Sequence, residues 1–505
     1  MNAKKVFGYI ATMLMLLPMM LGAFGSQMTA HADDPPADPT TADVTLHKVV
    51  FENGLPTDLI QNTGEEMDDF ENLGGEPLEG ATFVVYDVTE QYYAYIAGGM
   101  TAEEALDQIE EDAMHGPPGY GTEMDEQVTD ADGMVTFEDL PLKDSDGRDN
   151  VYLFIETDAP ADIKQRAMPI ALAMPIYKLD ANGEPTDELN TDIHLYPKNV
   201  SKEDTKDITG DFEILNINGV PHYNVEIGAE IPYRITLTLP EYLEDLESFT
   251  LTDTPSLGLE FITDTLEITS GTVTLVEGDD YELNPSTTDG GFTIEFILTS
   301  ETLLDLAGEE IYVDYKMKLT EDIDPDAIFE NMAELEVDGN TEEIPGPKVV
   351  TGGHRFVKTN AHTGEELKGA KFIVQNEAGE YATFELNTNK EWAFTGWVTT
   401  EAGATDIVSD DNGVFNIIGL VDGTYYLIET QAPSNRYVQL KDEIKFEVEH
   451  GQYNEDDLVT NVKNTPKGRL PLTGGPGILI FLAVGLALMI SAVVWNKKTK
   501  NQAKV

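Results

Sequence analysis

The sequence predicts an all-β protein that consists of three small antiparallel β-sandwiches in series. Short runs of β-branched and aromatic residues are separated by Asp-Gly or Asn-Gly turns and by prolines, a pattern typical of such sandwiches. One pattern of this kind occurs twice, and a different β-rich segment lies between the copies. We therefore expect a first sandwich at 33–199, a second at 200–349 and a third at 350–466.

Three sequence matches in the same order identify the two copies of the repeated module. The matched pairs are 80–85 with 369–374, 130–137 with 409–415, and 152–160 with 426–433. The first copy also carries an insertion at about 89–120, in which residues 101–106 are typical of a helix. We expect this insertion to lie outside the sheets.

The segment between the copies shows the alternation of a half-buried sheet. Apolar and polar residues alternate at 231–239 and again at 310–318, which predicts two strands of a sandwich. Proline and glycine at 344–347, followed by glycines at 352–353, mark the next domain boundary.

Composition excludes several classes of function. The 505 residues include 94 Asp and Glu against 30 Lys and Arg, a net charge of −64, which argues against nucleic-acid binding and against adsorption to anionic membranes. The absence of cysteine excludes disulfides, thiol catalysis and Fe–S clusters. The eight histidines show no metal-binding spacing, so we expect no cofactor and no metal site.

The N-terminus has the order of a secretory signal peptide. Lys4 and Lys5 precede a mostly apolar run at 6–24, and a small-x-small site ends at Ala32. We expect residues 1–32 to be removed on export, so that the mature chain begins near Asp33.

The C-terminus, 467–505, combines three elements in a fixed order. A Leu-Pro-Leu-Thr-Gly pentapeptide precedes an apolar run at 477–495, which is long enough to cross a bilayer as a transmembrane sorting segment, and the lysines after it fit the positive-inside rule. This order resembles the cell-wall sorting signal of Gram-positive surface proteins. The resemblance implies that a sortase cleaves after the threonine and holds its carbonyl as a thioester until an amine attacks. The pentapeptide residues are Leu470, Pro471, Leu472, Thr473 and Gly474.

The repeated module resembles the collagen-adhesin B-type domains of Gram-positive surface proteins and pilins, which are immunoglobulin-like sandwiches. The resemblance rests on a Lys-Thr strand, Gly-Ala-x-Phe, an Asp-Gly or Asn-Gly turn and a Tyr-Leu-Ile-Glu strand leading to Ala-Pro. It implies an autocatalytic isopeptide bond between a first-strand lysine and a last-strand asparagine, assisted by a buried acid, because burial favours the neutral amine and the neutral acid. The alternative is solvent exposure or a buried salt bridge. The implied residues are Lys358, Glu429 and Asn464 in the third sandwich, and Lys48, Glu156 and Asn199 in the first.

The middle segment resembles the collagen-adhesin A-type domain, in which an aspartate takes the place of the glutamate. Asp253 lies in an Asp-Thr-x-x-x-Gly-Leu signature, and Asn331 fits the last-strand asparagine. The resemblance implies Lys206 as the lysine, with Lys202 as its competitor.

Lys198 closes the first module in a Tyr-Pro-Lys sequence that has no evident packing purpose. The surroundings resemble the pilin motif of sortase-assembled pili, whose lysine attacks the thioester of the next subunit. Leu189 stands where that motif usually has tryptophan, and Ile193 and Leu195 replace its valines. The alternative is an ordinary exposed lysine.

Together these features predict the structural backbone subunit of a covalent surface pilus, joined through Thr473 to Lys198 of the neighbouring subunit and supporting adhesion. The chain is then a sortase substrate and not an enzyme. Expected partners are pilus-specific and housekeeping sortases, other copies of the chain, accessory pilins, peptidoglycan and host surface or matrix proteins. The alternative is a monomeric wall-anchored adhesin that binds a host matrix protein.

Overall fold

A computed structural model describes residues 39–52, 54–55, 63–67, 75–180, 183–468 and 476–502. The predicted signal peptide and the sorting pentapeptide lie outside these residues. The chain divides into two compact units. The first comprises the chain up to Asp211, Glu230–Lys318 and Phe329–Lys348, and the second comprises Phe212–Ala229, Leu319–Ile328 and the chain from Val349 onward.

The described residues are mostly β-strands, which confirms the predicted fold class. Up to residue 224 the strands are β1 (Thr41–His47), β2 (Val49–Glu52), β3 (Glu76–Pro77), β4 (Thr82–Asp87), β5 (Thr122–Val128), β6 (Met134–Pro141), β7 (Val151–Asp158), β8 (Ile163–Gln165), β9 (Ile170–Ala173), β10 (Ile176–Leu179), β11 (Pro185–Asn190), β12 (Asp192–Leu195), β13 (Lys198–Ser201), β14 (Thr205–Ile208), β15 (Glu213–Ile217) and β16 (Val220–Asn224). From residue 231 they are β17 (Ile231–Thr238), β18 (Phe249–Pro255), β19 (Leu259–Phe261), β20 (Glu267–Ser270), β21 (Val273–Thr274), β22 (Tyr281–Pro285), β23 (Phe292–Phe296), β24 (Glu310–Leu319), β25 (Asn331–Val337), β26 (Asn340–Pro345), β27 (Lys348–Val350), β28 (Gly352–His354), β29 (Phe356–Asn360), β30 (Lys371–Asn376), β31 (Tyr381–Leu386), β32 (Trp392–Val398), β33 (Ile407–Val408), β34 (Ile417–Leu420), β35 (Gly423–Gln431), β36 (Ile444–Val448) and β37 (Thr460–Asn464). The helices are α1 (Thr89–Gly98), α2 (Ala102–Asp112), α3 (Glu301–Leu304) and α4 (Pro476–Gln502).

Residues up to 201 form three main sheets, with strand orders β5-β4-β7-β9, β12-β1-β6 and β3-β2-β13-β8. The first strands pair in parallel with the last ones, β1 with β12 and β2 with β13. This pairing brings the beginning and the end of the predicted domain together, with Lys198 opposite Val49.

The insertion in the first module is helical, as the sequence predicts. Thr101 and Glu104 form a capping box at the start of α2, in which the Thr101 N–H donates to Oε2 of Glu104 at 2.8 Å. The buried face of α2 packs with Leu153 on β7.

The middle segment forms two sheets, β14-β17-β24-β20-β21, with β19 also paired to β24, and β22-β23-β18-β25-β26. Both strands predicted from alternation, 231–239 and 310–318, are present as β17 and β24. Alternate residues of β24 are buried, including Tyr315.

The second unit is built on an eight-stranded sheet, β28-β34-β32-β31-β30-β35-β36 with β33 paired to β30, and on the parallel pair β29 and β37. Two segments of the predicted middle domain, 212–229 and 319–328, belong to this unit instead. The first of these segments contacts the unit closely: the Ile227 N–H donates to the carbonyl of Gly419 at 3.0 Å, and a Cβ on Gly419 would lie 2.3 Å from the Ile227 side chain. Domain boundaries at 199 and 349 stay predictions.

Among the residues that the structure describes, no helix is long and apolar enough to cross a membrane.

Candidate functional site

Lys48, Glu156 and Asn199 meet in the interior of the first sandwich. Lys48 lies between β1 and β2, Glu156 on β7 and Asn199 on β13, and all three are buried. Nζ of Lys48 lies 3.2 Å from Oε2 of Glu156 and donates to Oδ1 of Asn199. Nδ2 of Asn199 donates to Oε1 of Glu156 at 2.6 Å. The structure thus brings together the three residues that the sequence singled out.

The surroundings of Lys48 favour a neutral amine. Burial lowers the pKa of Lys48 to about 8, although the Glu156 carboxylate opposes the shift. The Ala167 N–H donates to Oε2 of Glu156 at 2.7 Å and fixes the carboxyl beside the amine. The amine, the acid and the amide are therefore in contact, as an amide exchange requires.

The third sandwich repeats this arrangement with Lys358, Glu429 and Asn464. Nζ of Lys358 is 3.0 Å from Oε1 of Glu429, and Nδ2 of Asn464 donates to Oε2 at 3.0 Å. The Leu440 N–H donates to Oε2 of Glu429 at 2.6 Å, as Ala167 does in the first copy. Burial lowers the pKa of Lys358. Nζ of Lys358, Oε1 of Glu429 and Oδ1 of Asn464 are buried without a hydrogen-bond partner, although Nζ and Oε1 lie within ion-pair distance.

The turn glycines of the repeat hold both lysines. The Lys48 N–H donates to the carbonyl of Gly133 at 2.7 Å, and the Lys358 N–H donates to that of Gly413 at the same distance. Both glycines have positive φ, and a Cβ on either would lie 2.6 Å or less from the lysine carbonyl oxygen. The Asp-Gly and Asn-Gly matches of the sequence therefore mark the contact that places the lysine.

The middle sandwich brings together Lys206, Asp253 and Asn331. All three are buried, and Nζ of Lys206 donates to Oδ2 of Asp253. Burial lowers the pKa of Lys206 although Asp253 opposes the shift. Oδ1 of Asp253 and Oδ1 of Asn331 are buried without a hydrogen-bond partner.

The geometry separates the two lysines that the sequence left open. Lys206 is 3% exposed beside Asp253. The side chain of Lys202 is about one third exposed and pairs with Glu310 at the surface. Lys206 is therefore the lysine that lies within the buried group.

Sequence reasoning missed two residues of the middle site. The Tyr315 hydroxyl donates to Oδ2 of Asp253 at 2.6 Å and accepts from Nδ2 of Asn331 at 3.2 Å, so it bridges acid and amide. A Cβ on Gly346 would lie 2.3 Å from the Asn331 carbonyl oxygen and 3.1 Å from a Lys206 side-chain carbon. The alternation at 310–318 places Tyr315 on the inward face of its strand, and this was the available signal for Tyr315. No sequence pattern pointed to Gly346.

Lys198 begins β13 and is half-buried rather than fully exposed. Its Nζ donates to the backbone carbonyl of Tyr196 at 3.0 Å. Burial lowers the pKa of Lys198. The neighbouring Asn199 belongs to the buried triad, so the strand carries one lysine outward and one asparagine inward. Thr473 and the rest of the predicted sorting motif lie outside the described residues.

Three family models match the chain. Residues 39–200 match the N-terminal D1 domain of Gram-positive pilin subunits, 352–463 match the SpaA prealbumin-like fold domain, and 462–504 match the LPXTG cell-wall anchor motif. The fimbrial subunit type 2 of Actinomyces naeslundii is 28% identical over 507 residues, 89% of this chain and 88% of that protein.

Two solved structures of pilus proteins are similar to this chain, and the first, with a TM-score of 0.50, shows the same fold. The full-length RrgB pilus protein of Streptococcus pneumoniae has a TM-score of 0.50 at 18% identity and covers 86% of this chain and 99% of its own. The full-length major pilin SpaD of Corynebacterium diphtheriae has a TM-score of 0.49 at 22% identity and covers 85% of this chain and 98% of its own.

The matched domains define a surface protein that is covalently anchored to the cell wall of a Gram-positive bacterium. The chain belongs to the sortase-assembled major pilins, and it is a structural subunit of a pilus backbone.

Proposed function

We propose that Lys198 is the amine that links one subunit to the next. A sortase holds the carbonyl carbon of Thr473 of one subunit as a thioester, and the neutral amine of Lys198 of another attacks that carbon. The C–S bond breaks, the thiolate leaves, the amine loses a proton and an amide forms. Repetition of this step produces a covalent fibre.

The single observation that supports this role most is the setting of Lys198. The lysine closes the D1 domain, is half-buried and has its Nζ held by the carbonyl of Tyr196. Free lysine titrates near pH 10.4, so burial that lowers the pKa increases the fraction of nucleophilic amine at neutral pH. Lys202, only four residues away, is engaged with Glu310 and lacks this setting.

We further propose that each sandwich forms one intramolecular isopeptide bond. The lysine Nζ attacks the side-chain carbonyl carbon of the asparagine, ammonia leaves, and the adjacent acid transfers the proton. The pairs are Lys48 with Asn199, Lys206 with Asn331 and Lys358 with Asn464, assisted by Glu156, Asp253 and Glu429. The buried, mutually contacting side chains support this chemistry over exposed surface groups.

Polymerisation and anchoring of the chain require enzymes that act on its sorting motif. We propose that a pilus-specific sortase joins the subunits and that a housekeeping sortase transfers the last Thr473 to peptidoglycan. Accessory pilins and host surface or matrix proteins complete the set of proposed partners.

An immunoblot of wall extracts boiled in detergent tests the linkage. Cells that express the wild type should give a high-mass ladder, and Lys198→Ala should give only wall-anchored monomer. Lys202→Ala is the matched control and should keep the ladder. A single anchored band in both wild type and Lys198→Ala would contradict the proposal and indicate the monomeric adhesin.

Intact mass tests the internal bonds. Residues 33–473 should lack three molecules of ammonia relative to the sequence. A mass equal to that of the unmodified chain would rule out all three bonds.

A further inference from the structure

A histidine pair lies beside the strand that carries Lys198. Nε2 of His47, on β1, is 2.8 Å from Nδ1 of His194, on β12. The His47 ring also stacks on Tyr196 with the ring centroids 4.6 Å apart and the planes 15° from parallel. Tyr196 in turn provides the carbonyl that binds Nζ of Lys198. A chain of direct contacts therefore connects the histidine pair to the lysine.

Tyr196 is fixed from two sides. Its ring is buried against His47, and its hydroxyl accepts a hydrogen bond from the Met67 N–H at 2.7 Å. Only one residue separates Tyr196 from Lys198. A change in the stack would therefore displace the carbonyl that orients Nζ.

One hydrogen bond joins the two imidazoles. Nε2 of His194 lies 3.4 Å from Oδ1 of Asp192, which places its N–H toward the carboxylate and leaves Nδ1 as acceptor for the Nε2–H of His47. This hydrogen bond and the stack on Tyr196 together fix the His47 ring.

We propose that His47 is a positioning residue for Lys198, and that protonation of His47 disturbs Tyr196 and lowers the reactivity of the lysine. This inference depends on the proposed role of Lys198. It assigns to the pilus-forming reaction a dependence on pH that is built into the substrate and not into the sortase.

The charges around the pair determine the direction of the effect. Burial lowers the pKa of His47, His194 lowers it further and Glu66 partly opposes both. Because the pKa is lower in the folded chain, the arrangement is stable above about pH 6.5 and weakens as the pH falls through and below that value. Among the residues that the structure describes, the titratable and charged groups near the pair are Glu66 from the segment 63–67, Asp192 and His194 on β12, Tyr196, Lys198 on β13, and Lys48 beside it.

The test compares polymer with anchored monomer in cells that express the full chain and its sortases, at about pH 7.5 and about pH 5.5. Anchoring uses Thr473 but not Lys198, so the ratio of ladder to monomer reports the lysine reaction.

His47→Ala removes the stack and should lower the ratio on the order of tenfold at both pH values. His47→Phe keeps an aromatic stack without a titrating group, so its ratio should stay high and fall less at low pH than that of the wild type. His115→Ala, at a histidine that is 70% exposed, is the matched control and should follow the wild type.

Two results would overturn the inference. One is a His47→Ala ladder equal to that of His115→Ala at both pH values. The other is a His47→Phe ratio that falls with pH in parallel with the wild type. A His47→Ala chain that gives no anchored monomer has failed to fold, and the pH profile of His47→Phe then decides. A ladder that persists in Lys198→Ala instead contradicts the linkage proposal, whereas loss of that ladder with unaffected His47 variants contradicts only the positioning role.

Discussion

Each of the three buried lysines lies in an environment that is unfavourable for a charge. Lys48, Lys206 and Lys358 are at most 3% exposed. An ammonium taken out of water costs several kcal/mol, which an adjacent carboxylate offsets only in part. Conversion of the amine into a neutral amide removes this cost, so the packing that raises the energy of the lysine also promotes the proposed bond.

Removal of one acid should abolish one bond and leave the others intact. In Glu429→Gln the amide cannot transfer the proton as ammonia leaves, so the mass should show two lost ammonia molecules instead of the proposed three. Intact mass spectrometry of residues 33–473 measures this difference. Glu447→Gln, at an exposed carboxylate on β36, is the control and should keep all three losses. Three losses in Glu429→Gln would exclude an essential role for this acid.

Tyr315 should matter to the middle sandwich alone. Tyr315→Phe removes a hydroxyl that donates to Asp253 and accepts from Asn331, and it leaves both buried groups short of a partner. We expect a loss of about 1–3 kcal/mol in the free energy of unfolding together with slower formation of the Lys206 bond. Time-resolved intact mass and thermal unfolding measure the two effects. Tyr312→Phe is the control, because its half-buried hydroxyl on the same strand donates to Glu310 and not to the buried group, so the mass time course should not change. An unchanged mass time course in Tyr315→Phe would contradict its role beside Asp253.

At the residue scale, the motifs named side chains that the structure brings close together, and the bonds between them stay predictions. The three lysines, three acids and three asparagines of the motifs do lie together in three buried groups. Tyr315 and Gly346 were not predicted, because their contacts depend on how β24 and the 345–347 segment pack against β18 and β14. A pattern along one strand does not specify this packing. The pair of His47 and His194 was not predicted from the sequence because 147 residues separate the two histidines.

At the scale of elements, each cross-link would join strands that begin and end a sandwich. In the third sandwich β29 and β37 run in parallel, with Lys358 opposite Val462 and Asn464 two residues further along β37. A covalent tie between these strands prevents them from sliding past each other, and it restricts the unfolded chain much as a disulfide does.

Element prediction succeeded where periodicity was strong, and it did not extend to contacts between remote segments. Alternation located β17 and β24, and local helix signals located α2. The hairpin of β15 and β16 is itself regular, but the residues directly after it, Val225 and Ile227, donate to the carbonyls of Val350 and Gly419 in the second unit. No local pattern encodes contacts of that kind.

The junction between β8, the segment before β14 and β26 should make stability depend on pH. Nζ of Lys164 is 2.7 Å from Asp204 and 3.9 Å from Oε2 of Glu342, and burial raises the pKa of Glu342 to about 7. Since this pKa is above that of the unfolded chain, the folded state retains a proton between about pH 4.3 and pH 7 and loses stability as the pH rises through that range.

Glu342→Gln should reduce the dependence of folding stability on pH between about pH 4.3 and pH 7. The variant should gain a few degrees in unfolding midpoint relative to the wild type at about pH 8 and gain little at about pH 4.5. Thermal unfolding across this range measures the difference. Glu343→Gln, at the adjacent exposed carboxylate, should follow the wild type. A constant offset of Glu342→Gln at every pH would contradict the titration of Glu342.

At the scale of the whole molecule, the charge balance of 94 acidic against 30 basic residues keeps subunits soluble and repels one part of the chain from another. Salt should therefore stabilise the folded protein. Between about 0.01 M and about 0.15 M ionic strength the Debye length falls from about 30 Å to about 8 Å, which screens most long-range repulsion between carboxylates. We expect the unfolding midpoint of the wall-released protein to rise by a few degrees over this range at neutral pH.

Sodium and potassium chloride should act equally at equal ionic strength, because screening does not depend on the identity of the ion. A midpoint that stays constant or falls with salt would mean that local ion pairs, and not the net charge, dominate the electrostatics of the fold.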